Sequence, residues 1–201
     1  MRDKYGANSD QYCYPGTDVL INKLNIRDAD ELTEAETEFT TLRYQSYRSP
    51  QLTIVDLSFQ HLKSLHHHLF QDLYQWAGQI RHIDLSKGHT RFCTCTRIEA
   101  EAKRLFDQVS ILAEAQSRNA LVRQVADLYC EMNLLHPFRE GNGRTQRFFF
   151  EELIFSLGYE LKWPTISQEQ WIQANIAGVN LNLKPLESIF DTALTKGTST
   201  S

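Results

Sequence analysis

Apolar residues recur along this chain mostly every three or four positions, the spacing that gathers them on one side of a helix. Leu62, Leu65, Leu69 and Leu73 set that rhythm over residues 56–76, and Gly78 follows as a stop signal. Leu121, Val125, Leu128 and Met132 repeat it over 118–134. Residues 28–47 predict a more polar helix with Asp28 or Asp30 as its N-cap, and 97–116 predict another. A helix over 144–157 begins after a glycine turn and ends at Gly158. Its run Phe148-Phe149-Phe150 is apolar on nearly every side, which places this helix at the centre of the core. Further helices are predicted over 167–178 and after Pro185, with Trp163 and Trp171 packing that end. The last residues, Lys196 to Ser201, predict a frayed terminus.

One segment changes period. Residues Arg81 to Ser86 alternate, Lys87-Gly88-His89 offers a turn, and Thr90 to Thr96 alternate again. This predicts a β-hairpin in an otherwise all-α domain. An exposed hairpin edge leaves backbone N–H and C=O groups able to accept another chain.

Composition narrows the picture. A length of 201 residues suits one domain able to bury a sizeable core, and no repeat or linker divides it. The 41% apolar and 23% charged content is that of a soluble globule. A net charge of −4 and a pI near 6.0 exclude a general nucleic-acid binder. No apolar run approaches the roughly 18 residues of a membrane span. The polar start Met1-Arg2-Asp3-Lys4-Tyr5 shows no secretory signal. Cys13, Cys93, Cys95 and Cys130 are too sparse for a disulfide framework, so the cytoplasm is the expected compartment. His66, His67 and His68 are consecutive and would point about 100° apart on a helix, too far to share one metal.

The candidate chemistry sits between the two central helices, in His136-Pro137-Phe138-Arg139-Glu140-Gly141-Asn142-Gly143-Arg144-Thr145-Gln146-Arg147. Glycines at 141 and 143 permit a turn that aims backbone N–H groups inward, and the first turn of the following helix is an anion site. Arg144 and Arg147, three apart, share one side of that helix, and guanidinium forks suit phosphate oxygens. Glu140 beside phosphates calls for a cation between them, and a carboxylate with phosphate oxygens is a usual Mg²⁺ environment. His136 can take a proton near neutral pH. Phe138 has no chemistry and is expected to plug the loop into the core.

This stretch resembles the signature of Fic (filamentation induced by cAMP) domains: His, any residue, Phe, any residue, Asp or Glu, Gly, Asn, Gly, Arg, two of any kind, Arg. Every fixed position is matched. The resemblance implies a protein adenylyltransferase with a helical Fic fold and a hairpin flap, its core over 51–196 and a helical N-terminal extension over 1–50 of the same single domain. It implies His136 as the general base, Glu140 as the Mg²⁺ carboxylate, and Gly141, Asn142, Gly143, Arg144 and Arg147 as the ATP-binding set, with the Asn142 side chain on phosphate. The flap, at Ile83, Asp84, Leu85 and Phe92, would dock the target by strand addition. Tyr12 to Leu20 also resembles the opening of short bacterial Fic proteins. Many relatives carry an inhibitory segment of Ser or Thr, three residues, Glu, then Gly or Asn. The one Glu of this chain followed by Gly or Asn is Glu140, which lies in the motif itself. The resemblance then implies a separate small inhibitory protein, as in toxin–antitoxin pairs whose toxins modify subunits of DNA gyrase and topoisomerase IV. A host-directed effector, transfer of another phosphate-containing group, and a non-catalytic nucleotide- or partner-binding module are the alternatives.

Overall fold

The computed structural model describes residues 10–196. Seven α-helices are seen there: α1 Ala29–Ser46, α2 Phe59–Phe70, α3 Ile98–Phe106, α4 Arg118–Leu135, α5 Asn142–Ser156, α6 Gln168–Val179 and α7 Lys184–Ala193. Side-chain oxygens start several of them. Asp28 accepts from the Asp30 and Glu31 amides, Ser58 from His61, Ser117 from Ala120, and Ser167 from Gln170. Helix α5 runs through the middle of the core, with Phe149, Phe150, Leu153 and Ile154 all fully buried. It packs on α2 and α4, while α4 also lies against α3, α6 and α7. Trp163 and Trp171 meet edge to face, with centroids 5.6 Å apart, and each also packs on Tyr129.

Three predicted elements are altered. The helix expected over 56–76 is confined to Phe59–Phe70, because Ser58 caps it late and the chain then turns twice. Leu73 and Tyr74 are still buried, so the apolar rhythm outlasts the helix. The helix expected over 97–116 breaks after Phe106 into a 3₁₀ segment, Val109–Glu114. Val109, Ser110 and Ile111 are weak helix formers, and Val109 and Leu112, three apart, both turn inward at the tighter period. The hairpin pairs only Ser86–Lys87 (β1) with Thr90–Arg91 (β2). A second antiparallel pair, β3 Tyr159–Leu161 and β4 Leu194–Lys196, was not foreseen. Lys196, expected in a frayed end, is paired with Tyr159, and the rest of that end lies outside the described residues.

The expected N-terminal helical extension is helical only in α1 among its described residues. Residues 10–28 form loops closed by a bridge between Cys13 and Leu20. The expectation of no secretory signal at 1–5 lies outside the described residues. Among those residues, no helix is long and apolar enough to cross a membrane.

Candidate active site

Helix α4 ends where His136 adopts a left-handed conformation, φ 43° and ψ 61°. That turn throws the imidazole off the helix axis. Its Nδ1 lies 3.2 Å from the Asn133 carbonyl oxygen. A carbonyl can only accept, so Nδ1 carries the hydrogen and Nε2 is left with a bare lone pair. The ring stacks on Phe92 of the flap, with centroids 3.7 Å apart and planes 10° from parallel. Burial pushes the His136 pKa down to about 3; the Asn133 hydrogen bond opposes this, and the charges of Arg81 and Lys87 add to it. The imidazole is therefore neutral at physiological pH, with Nε2 unprotonated.

Pro137 to Gly141 cross from α4 to α5 as a rigid loop. Phe138 is buried, as expected of a plug. Asn142 locks this loop: its Oδ1 accepts from the Phe138 amide at 2.9 Å and its Nδ2 donates to the Phe138 carbonyl at 2.8 Å. Oδ1 and one of the two Nδ2 hydrogens are thus spent on holding the loop. Gly141 is the N-cap of α5, with φ 78° and no capping side chain. A Cβ on Gly141 would lie 2.2 Å from the Phe70 ring, so glycine is required there. Next to Gly143, the nearest atom to an added Cβ is Arg147 Nη1 at 3.9 Å. The first turn of α5 is thus an open helix N-terminus with its amide hydrogens and dipole aimed outward.

The charged side chains flank that opening. Arg144 lays its guanidinium over the Phe70 ring at 4.8 Å and pairs with Glu36 of α1 at 2.7 Å. Glu140 Oε1 lies 3.8 Å from the same arginine and accepts from the Gly141 amide at 2.9 Å. Glu140 Oε2 accepts no hydrogen bond among the described residues; the half-buried Arg147 makes no hydrogen bond or ion pair there, though its charge acts on Glu151 and Tyr129. No cluster of three His, Cys, Asp or Glu that could hold a metal occurs among the described residues. One carboxylate with a spare oxygen, facing an anion site, fits a Mg²⁺ ion held otherwise by phosphate and water.

The flap residues divide. Asp84 and the turn residues Lys87, Gly88 and His89 are exposed, and Ile83 is half-buried. Leu85 and Phe92 are 2% and 6% exposed, so their side chains pack in the core and are not offered to a docked chain. They anchor the hairpin, joined by a hydrogen bond from the Phe92 amide to the Leu85 carbonyl at 3.1 Å. Asp84 closes it, accepting from the Cys95 amide at 2.8 Å.

Two contributors escaped the sequence. His66, fully buried, lies with Nε2 3.0 Å from the Glu140 carbonyl and accepts the Gly78 amide at Nδ1. Its ring stacks on Phe138 at 3.8 Å, so it braces the loop from below. Glu36 is buried, is hydrogen-bonded by the Tyr74 hydroxyl and orients Arg144. Its only sequence signal was an acid at an inward position of α1. The opening near Tyr12 also reaches the site, through an Asp10–Arg139 ion pair of 2.6 Å and a Tyr12–His82 hydrogen bond of 2.6 Å.

A histidine with a bare Nε2, a carboxylate, an open helix N-terminus and an arginine free of hydrogen bonds among the described residues are parts that a nucleotidyl-transfer site needs. The chain matches the Fic/DOC family model over residues 56–154 and belongs to that family. It is 40% identical over 192 residues to "Probable protein adenylyltransferase Fic" of Escherichia coli K12, which covers 94% of each chain. It is 41% identical to "Probable protein adenylyltransferase y4lH" of Sinorhizobium fredii, over 91% of this chain and 95% of that one. The fold is also that of the BepC effector of Bartonella tribocorum, solved with AMPPNP bound, at a TM-score of 0.84, 23% identity and 94% and 98% coverage. The chain is an enzyme of the protein adenylyltransferase class.

Proposed function

We propose that the chain moves AMP from ATP to a Ser, Thr or Tyr hydroxyl of a target protein, with His136 as the base. The phosphates lie over the first turn of α5, at the backbone of Gly141, Asn142 and Gly143, between Arg144 and Arg147. The target segment lies along the outer edge of the flap. His136 Nε2 takes the hydroxyl proton while the oxygen bonds to the α-phosphorus. The bond between that phosphorus and the bridging oxygen breaks, and pyrophosphate leaves with the electron pair. Glu140 would hold a Mg²⁺ ion, which supplies charge neutralisation for the leaving pyrophosphate. Arg144, Arg147 and the helix dipole are preorganised for the same charge.

The observation that supports this reading best is the His136 tautomer, since a binding module needs no bare lone pair beside its anion site. ATP labelled at the α-phosphorus should label a protein in lysate, and ATP labelled at the γ-phosphorus should not. The reverse result makes the chain a phosphotransferase, and label from neither makes it a binder. His136→Ala should lower α-label transfer by about 10²–10⁴-fold while ATP affinity is kept. A variant retaining more than a tenth of transfer removes His136 as the base.

We further propose a cytoplasmic toxin restrained by a small inhibitory protein, with type II topoisomerase subunits as targets. Supporting this, the Arg147 guanidinium makes no hydrogen bond or ion pair among the described residues, and no inhibitory Ser/Thr-x-x-x-Glu-Gly/Asn segment occurs in the sequence. Expression in bacteria should then be toxic, and His136→Ala should remove the toxicity. Harmless expression of soluble, active protein would sink this reading.

A further inference from the structure

Arg81 is 2% exposed, yet no carboxylate pairs with it among the described residues. Its acceptors are backbone carbonyls alone. Nε donates to His136 at 2.7 Å, Nη1 to Ile83 at 2.6 Å, and Nη2 to Cys93 at 2.5 Å and Leu135 at 3.5 Å. Its own amide donates to the Pro137 carbonyl at 2.9 Å. The Asp84 charge acts on it without a hydrogen bond, and so desolvated a cation needs further negative potential. The last carbonyls of α4 supply it, because they lack intrahelical partners and form the negative end of the helix dipole.

The acceptors fall into two groups. Leu135 and His136 belong to the end of α4 that presents the imidazole. Ile83 and Cys93 belong to the two arms of the flap, just outside the residues that pair. One planar guanidinium therefore spans the flap and the backbone of the histidine, while Phe92 of the same flap lies on the imidazole face. The Cys93 amide adds a parallel link to the Leu134 carbonyl at 2.9 Å.

We propose that Arg81 is a positioning residue: it joins the flap to the His136 backbone so that the docked hydroxyl and Nε2 share one rigid frame. The inference rests on His136 being the base. Arginine is the side chain suited to this, with five donors in a fixed plane; lysine offers a point charge that cannot span four carbonyls. Misplacing a base by an ångström costs on the order of 10²-fold in rate.

Arg81→Lys and Arg81→Ala are compared with His136→Ala in transfer to a target protein. The expected result for Arg81→Lys is a kcat lowered by about 10- to 100-fold with ATP affinity unchanged by calorimetry. Nitrogen NMR of the His136 imidazole should show the loss of a single Nδ1–H tautomer. Added guanidinium should restore part of the kcat of Arg81→Ala. Wild-type kcat with unchanged imidazole signals in Arg81→Lys overturns the proposal. So does failure of both variants to fold, which would make Arg81 a core residue only. If His136→Ala keeps its transfer activity, the reading of the base fails instead, whatever Arg81 does.

Discussion

At the scale of single residues, the motif separates residues that build the loop from those left open beside the first turn of α5. Asn142, Phe138 and Gly141 build it; Gly143, Arg147 and His136 face the opening. The two glycines should therefore respond oppositely. Gly141→Ala meets Phe70 at 2.2 Å with φ at 78°, and should cost on the order of 1–3 kcal/mol in urea unfolding. Gly143→Ala has open space and a helical position, so stability should hold or rise by roughly 0.5–1 kcal/mol while ATP affinity falls. Equal effects of the two on stability would refute this division. Arg147→Ala should weaken ATP binding by about 1.5–3 kcal/mol, the worth of one charge-assisted contact, as read by calorimetry. Unchanged affinity would place Arg147 outside the site.

At the scale of elements, the flap is a two-residue ladder held from below. Its anchors, Leu85 and Phe92, are buried, and its tip, Lys87 to His89, is exposed. Phe92→Asp should thus damage both the fold around His136 and all transfer. His89→Glu should leave melting and ATP binding unchanged and alter only the KM for the protein target. A tip substitution that changed ATP affinity as well would show that the hairpin belongs to the nucleotide site. Helix α1 works in a different way: it adds Glu36 as a partner of Arg144, and Tyr74, which hydrogen-bonds Glu36, comes from the turns after α2.

For the molecule as a whole, a buried neutral histidine under the catalytic loop links stability to pH. Burial pushes the His66 pKa from 6.5 down to about 3; the Glu140 carbonyl opposes the shift, and the charges of Arg144 and His67 add to it. A folded value below the unfolded one means that the unfolded chain binds more protons in that window. Stability is then complete above about pH 6.5 and lost as the pH falls towards 3, with a slope of up to about 1.4 kcal/mol per pH unit from this residue. Urea midpoints across this range test it, and a His66→Gln variant should show a shallower slope. Parallel slopes for the two proteins would exclude His66 as the source. Transfer at pH 6 should show no loss from protonation of His136, because that ring is held neutral by the same burial.

The sequence by itself determined the seven helical regions, the central place of Phe148 to Phe150, the hairpin, and the residues of the motif, because each is written in local periodicity or in one short contiguous stretch. It did not determine where α2 ends or that α3 breaks, since caps and 3₁₀ tightening are settled by what neighbouring segments bury. Nor could it show the β3–β4 pair, whose three-residue strands lie far apart along the chain. Within the site, residue types were legible but their tasks were not. That Asn142 locks the loop and that Phe92 is the surface on which His136 lies could not be read there. His66, Glu36 and Arg81 became visible only in three dimensions. Each is a polar group whose meaning depends on which carbonyl or guanidinium a distant segment brings within about 3 Å, and a hydrogen bond across such a separation leaves no period in the sequence.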